Sequence, residues 1–215
     1  MAESSCLFLH QSYIIMPVNS PHSTIKVDNK IVLEIIVQEH AEPLLNLVNA
    51  NRQYLREWLP WVDNMQSVDD FKAYISRCKS LHEEGSDYGL VIRMNNEVAG
   101  RVGIHYINRQ NSCGAIGYWL GEAFAGKGII TKSCEALIKH GFTVLQLNRI
   151  EIKCGTGNYK SAAIAERLHF KKEGVLRQAE FVNGKFIDLS LYSLLKEEWS
   201  NKGEMNNTVY ENGGE

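Results

Sequence analysis

The chain has 215 residues, 44% of them hydrophobic, with a formal net charge of -2 and a pI near 6.4. This suits one ordinary domain with a sizeable core. It is not the strongly basic balance of a protein that works on nucleic acid or an anionic membrane. No apolar run approaches the ~18–20 residues of a membrane span.

The five cysteines, Cys6, Cys78, Cys113, Cys134 and Cys154, are scattered and lack CxxC spacing. They predict reduced thiols in a cytoplasmic protein rather than a disulfide framework or a zinc site. The histidines show no HxH or HExxH spacing, so no metal is expected. The N-terminus carries Glu3 instead of a basic segment, and His10, Gln11 and Ser12 interrupt its apolar stretch, which makes a poor signal peptide.

Residues 1–24 show no clear period and are punctuated by Pro17 and Pro21, as expected of an extension; Met16 is an alternative natural start. Ile31 to Val37 is a β-branched run and predicts a strand. His40 to Asn51 carries Leu44, Leu45, Leu47 and Val48, a helical face. Val68 to Glu84 spaces Phe71, Tyr74, Ile75 and Cys78 three and four apart, a second amphipathic helix. Asp69 and Asp70 suit its positive end.

Tyr88 to Met94 and Glu97 to Ile107 read as strands around an Asn95-Asn96 turn. Cys113 to Gly121 is a further strand. A Gly-rich loop then opens a helix with apolar positions at Ile130, Cys134, Leu137, Ile138, Phe142 and Leu145. Arg149 to Cys154 is a strand and Ser161 to Leu168 a short helix. Phe170 to Phe181 and Phe186 to Leu195 form a last hairpin around Asn183-Gly184. Residues 199–215 are polar and Gly-containing, as expected of a disordered tail. The order β-α-α-β-β-β-α-β-α-β-β predicts one mixed, mostly antiparallel sheet of about six to seven strands with helices on both faces, an α/β (α+β) domain.

The segment Ala125-Gly126-Lys127-Gly128-Ile129-Ile130-Thr131 joins a strand to a helix. Glycines allow close backbone approach and turn conformations. The first helical turn leaves N–H groups without partners at the positive end of the dipole. Together these can hold phosphate oxygens, and Lys127 can add charge. A Gly-rich connection that only starts a helix has the same look. The segment is neither a P-loop nor the GxGxxG dinucleotide fingerprint.

Ile116 to Ser133 (IGYWLGEAFAGKGIITKS) resembles motif A of the GCN5-related N-acetyltransferases. In that family the loop cradles the pyrophosphate of coenzyme A, and the preceding strand pairs with the pantetheine arm. The resemblance makes Trp119 and Leu120, together with Ala125 through Thr131, the expected acetyl-CoA site. Gly128 matches the family pattern, while Ala125 stands for Gln or Arg and Ile130 for a small residue. Asn158-Tyr159-Lys160-Ser161, which can also be a plain helix cap, resembles the motif whose Asn contacts the pantetheine arm. The tyrosine that many members carry on this helix falls on Ala165.

Glu173 to Tyr192 (EGVLRQAEFVNGKFIDLSLY) and Leu55 to Asp63 (LREWLPWVD) resemble the RimJ/RimL-type ribosomal-protein N-acetyltransferases of the same family. The likeness runs from about Ile25 to Leu195 and implies an acetyltransferase domain over residues 25–198. It implies Ser161 as the group that protonates the departing thiolate and Glu180 as the base that takes the amine proton through water. It also implies that Trp58 and Trp61 wall the acceptor cleft with Glu180. An acetylated Cys154 is the less favoured route, since it lacks a clear base partner.

The expected acceptor is the N-terminal α-amine of a ribosomal protein, with direct attack in a ternary complex. A small amine, such as an amino acid, polyamine or antibiotic, is the alternative acceptor. A coenzyme-A-binding module without turnover is the third reading. No direct nucleic-acid or membrane partner is expected, and the resemblance makes a homodimer or higher homo-oligomer credible.

Overall fold

The computed structural model describes residues 24–200. The expectations for residues 1–23 and 201–215 lie outside the described residues. One sheet of eight strands organises the chain. In chain order they are β1 (Thr24–Lys26), β2 (Ile31–Ile35), β3 (Tyr88–Met94), β4 (Glu97–Asn108), β5 (Cys113–Leu120), β6 (Arg149–Gly155), β7 (Lys171–Val182) and β8 (Lys185–Leu195). Their spatial order is β1-β2-β3-β4-β5-β6-β8-β7. The sequence predicts every strand but β1, which is three residues long and too short to show a period. Helices α1 (Ala41–Leu55), α2 (Val68–Glu83), α3 (Ile129–Thr143) and α4 (Tyr159–Arg167) complete the main body.

Alternation along the strands splits the core in two. Leu90 and Ile92 of β3 face a cluster that includes Cys134, Leu137 and Phe142 of α3. Val91, between them, faces Leu44 and Val48 of α1 with Phe71 and Ile75 of α2. Helices α1 and α2 therefore cover one face of the sheet and α3 the other, as the predicted two-sided architecture requires.

Local chemistry fixes the connections. Asn95 and Asn96 both adopt positive φ, as do Asn183 and Gly184, which is the type I′ geometry that matches strand twist. Ser67 caps α2 by accepting from the Asp70 N–H, while the Asp70 carboxylate accepts from the Ser67 N–H at 2.8 Å. Helix α1 continues four residues beyond its predicted end because Leu55 reaches the core. It does so across a kink at Asn51, whose φ of -129° is not helical. The side chain of that residue accepts from the Glu122 N–H at 2.9 Å and so ties α1 to the segment after β5.

Among the described residues, only β5 and β6 run parallel. Their ladder spans Cys113 paired with Arg149 to Ile116 paired with Ile152, and stops there. Beyond it, β5 stays on β4 through Trp119 with Arg101 and Leu120 with Gly100. β6 stays on β8 through Cys154 with Ser190 and Gly155 with Leu189. Each strand follows its outer neighbour, so a gap opens between Gly117–Leu120 and Lys153–Gly155. The facing backbone groups have no ladder partner across it.

Candidate functional site

The end of β5 leads through a short 3-10 turn, Glu122–Phe124, into the Gly-rich loop and α3. Gly126 and Gly128 have φ of 75° and 73°, a region costly for side chains. A Cβ added at either would meet nothing within 4 Å. The glycines thus serve backbone conformation beside open space. Gly128 is the N-cap of α3 and no side chain caps the helix, so its leading N–H groups stay available to an anion.

Side chains around this loop divide by role. Ile129 and Ile130 are buried in the core and can offer a ligand only their backbone. Lys127 donates to the Ala123 carbonyl at 2.7 Å and lies 5.8 Å from the centre of the Phe124 ring. A cation that the sequence reading missed stands nearby: Arg167, at the end of α4, donates to Thr131 Oγ1 at 3.3 Å. In the sequence it looks like any charged residue on a helix surface.

The gap has chemistry at each face. On the α3 and α4 side, Asn158 caps α4 by accepting from the Ser161 N–H at 3.0 Å. The Ser161 hydroxyl lies 2.7 Å from the hydroxyl of Tyr118, which also reaches the Ser161 carbonyl at 3.3 Å. Cys154 lines the same side, and burial pushes its thiol above the ordinary range. It is therefore a poor thiolate nucleophile. Ala165 is fully buried and packs into the core.

On the opposite face, a Cβ added at Gly155 would lie 2.7 Å from Trp58 Cζ3 and 3.4 Å from Ile187 Cδ1. Trp58 and Ile187 thus close over the end of β6. Glu180 is the cross-strand partner of Ile187 and points to the same face. It arrives there through a bulge. The β7–β8 register shifts between Leu176 and Glu180, and Arg177, Gln178 and Ala179 have no partners of their own. Gln178 takes a φ of 50° and donates its N–H to Asp188 Oδ1 at 2.8 Å. Burial raises the pKa of Glu180 above that of an exposed glutamate. Ser161 therefore lies on the α3 and α4 face of the sheet, and Glu180 on the face that carries Trp58 and Ile187.

The two other predicted aromatic residues lie deeper. Trp119 is buried on the α1 and α2 side, and its ring centre is 5.7 Å from that of Trp61. The pair packs in the cluster on the α1 and α2 face, and Trp119 and Leu120 face the gap only through their backbone. A groove of 470 Å³ lies between this region and the β7–β8 turn. Arg56, Leu59, Pro60 and Phe181 line it, and Asn183 spans it by donating to the Arg56 carbonyl at 2.9 Å. Among the described residues, no group of three His, Cys, Asp or Glu side chains could hold a metal.

Comparison with known proteins agrees with this layout. Residues 30–171 match the family model of the acetyltransferase (GNAT) domain. The ribosomal-protein-serine acetyltransferase of Escherichia coli (strain K12) is 35% identical over 170 residues, covering 79% of this chain and 95% of that protein. A structure of RimL, a ribosomal L7/L12 α-N-protein acetyltransferase with coenzyme A joined to a cysteine as a disulfide, superposes with a TM-score of 0.79 at 32% identity. That match covers 82% of this chain and 99% of the other. The microcin C7 self-immunity acetyltransferase, in complex with acetyl-CoA and AMP, gives 0.76 at 34% identity over 80% and 95% of the two chains. With its parted parallel strands, its open glycine loop and a domain match over most of its length, the chain belongs to the GNAT acetyltransferase family.

Proposed function

We propose that this chain transfers an acetyl group from acetyl-CoA to the N-terminal α-amine of a ribosomal protein, with both substrates bound together. The observation that carries this reading is the gap between β5 and β6, with Ser161 beside Tyr118 on one face of the sheet and Glu180 on the face that carries Trp58. The names of its relatives, a ribosomal-protein-serine acetyltransferase and an L7/L12 acetyltransferase, support that acceptor over a small amine.

The residues present fit acetyl-CoA. The open space at Gly126 and Gly128 and the uncapped start of α3 suit a pyrophosphate. The facing backbones of Gly117–Leu120 and Lys153–Gly155 can hydrogen-bond the amides of a pantetheine arm. Asn158 spends its carbonyl on the helix cap, which leaves its NH2 group as a donor.

Acetyl-CoA supplies an activated thioester. Glu180 accepts the amine proton through water, and its raised pKa brings it nearer the operating pH of a general base. Ser161 gives its hydroxyl proton to the departing sulfur. A free α-amine has a pKa of about 7.7–8.0, so a carboxylate suffices as its base, and a thiolate whose thiol has a pKa of about 8.5 leaves readily, helped by a hydrogen bond from Ser161. Each group then contributes roughly 10²-fold, and holding the two substrates in line supplies much of the rest. Trp58 shields the attack from water on the acceptor side.

The same proposal places the enzyme in the cytoplasm as a homo-oligomer. The edge strand β7 exposes Val175 at 45% and Leu176 at 38%, and the rings of Phe181 on β7 and Phe186 on β8 are exposed at the hairpin's end. Such an edge is usually covered. Sedimentation is expected to show a dimer or larger species, and a monomer would remove this part of the proposal.

Thiol release from acetyl-CoA tests the reaction against Ser- and Ala-starting peptides, polyamines, amino acids and aminoglycosides. Peptide turnover that vanishes when the N-terminus is blocked is the expected result. Turnover confined to small amines would contradict the assignment. For Glu180→Gln, kcat should fall about 10²-fold near neutral pH. The loss should shrink as the pH rises past about 8, where the amine loses its proton unaided. In the parent enzyme the acid limb should follow protonation of Glu180, above the ordinary glutamate range because its pKa is raised. An unchanged pH–rate profile in the variant would exclude Glu180 as the base.

A further inference from the structure

Ser161 is held from several sides, and one of its partners lies on a strand that the proposed mechanism leaves without a side-chain role. Its N–H is fixed by Asn158 at 3.0 Å. Its hydroxyl lies 2.7 Å, and its carbonyl 3.3 Å, from the hydroxyl of Tyr118. Tyr118 sits on β5 two residues beyond Ile116, where the ladder to β6 ends. Its side chain therefore spans the mouth of the gap from the strand to α4, on the same side as Cys154.

From this geometry we infer that Tyr118 is the positioning residue that orients the Ser161 hydroxyl for proton donation. The inference rests on the assignment of Ser161 as the thiolate's proton donor. A serine hydroxyl has one proton and free rotation about its C–O bond. Left alone, it can turn that proton to any nearby acceptor. The phenol has one proton, and its shorter contact is to Ser161 Oγ, 2.7 Å against 3.3 Å to the carbonyl, so Tyr118 O–H donates chiefly to Oγ and Ser161 Oγ accepts. With its acceptor side occupied, the Ser161 proton points away from Tyr118, toward Cys154 at the side of the gap. Burial pushes the phenol's pKa up, so Tyr118 stays a neutral donor throughout turnover.

The proton count closes without ionising Tyr118. The amine nitrogen bonds to the carbonyl carbon and the C–S bond breaks. One proton leaves the amine, through water, to the Glu180 carboxylate. One proton passes from Ser161 to sulfur, and the Tyr118 hydrogen bond steadies the serine oxygen as it loses it. Exchange with solvent after product release returns a proton to Ser161 and takes one from Glu180.

The test compares Tyr118→Phe, Ser161→Ala and the double variant in the full-length enzyme. Acetyl-CoA and the best acceptor from the panel serve as substrates. Tyr118→Phe keeps the ring and removes only the hydroxyl. It should lower kcat about 3–10-fold, the range of one lost hydrogen bond. KM for acetyl-CoA and the melting temperature should stay unchanged. In the Ser161→Ala background the same change should cost nothing further, because the tyrosine acts only through the serine. A Tyr118→Phe enzyme with full kcat, a raised KM with kcat retained, or additive losses in the double variant would each overturn the inference while leaving Ser161 in its role. Full activity in Ser161→Ala would overturn the serine assignment itself, and this inference with it.

Discussion

Strands β5 and β6 are the one parallel pair among the described residues, and their shared ladder ends at Ile116 and Ile152. The position of that end decides what the rest of the molecule can do. A complete sheet would have placed a hydrogen-bonded wall between its two faces. The parting of two strands instead gives backbone groups that a polar arm can pair with, and an opening through which groups on opposite faces can meet. The outer neighbours keep the gap open: β4 holds β5, and β8 holds β6, past the point of divergence.

Each group that the proposal uses is then set by an element that serves the fold as well. The cap of α4 brings Ser161 to one face. The bulge in β7 sets Glu180 on the other face, the one that carries Trp58 and Ile187. The glycine loop closes the far end, tied to α1 through Asn51 and to α4 through the contact between Arg167 and Thr131. Charge follows the same division. The start of α3 offers N–H groups and nearby cations, whereas the opposite face offers a half-buried carboxylate with a raised pKa.

Much of this was legible in the sequence for definite reasons. Helical spacing from Ile130 to Phe142 and β-branched runs such as Ile31 to Ile35 declare their elements, and Asn95-Asn96 and Asn183-Gly184 declare their turns. The glycine loop could be read because only particular residues tolerate positive φ. What stayed hidden depends on tertiary pairing. Period-two alternation gives no sign that Arg177 to Ala179 bulge out of register. Tyr118 and Trp119 read alike as strand residues. Only the packing sends Tyr118 to Ser161 and Trp119 to Trp61 on opposite faces. Arg167 gains significance only because α4 ends beside the start of α3.

Direct transfer across the gap is the central claim, and initial-rate kinetics test it most directly. Varying acetyl-CoA at several fixed concentrations of acceptor should give intersecting double-reciprocal lines, since both substrates must occupy the gap at once. The enzyme incubated with acetyl-CoA alone should keep its intact mass. Parallel lines, together with a mass increase of one acetyl group lost on Cys154→Ala substitution, would mean that the acetyl group rests on the protein between two half-reactions, and would contradict the account.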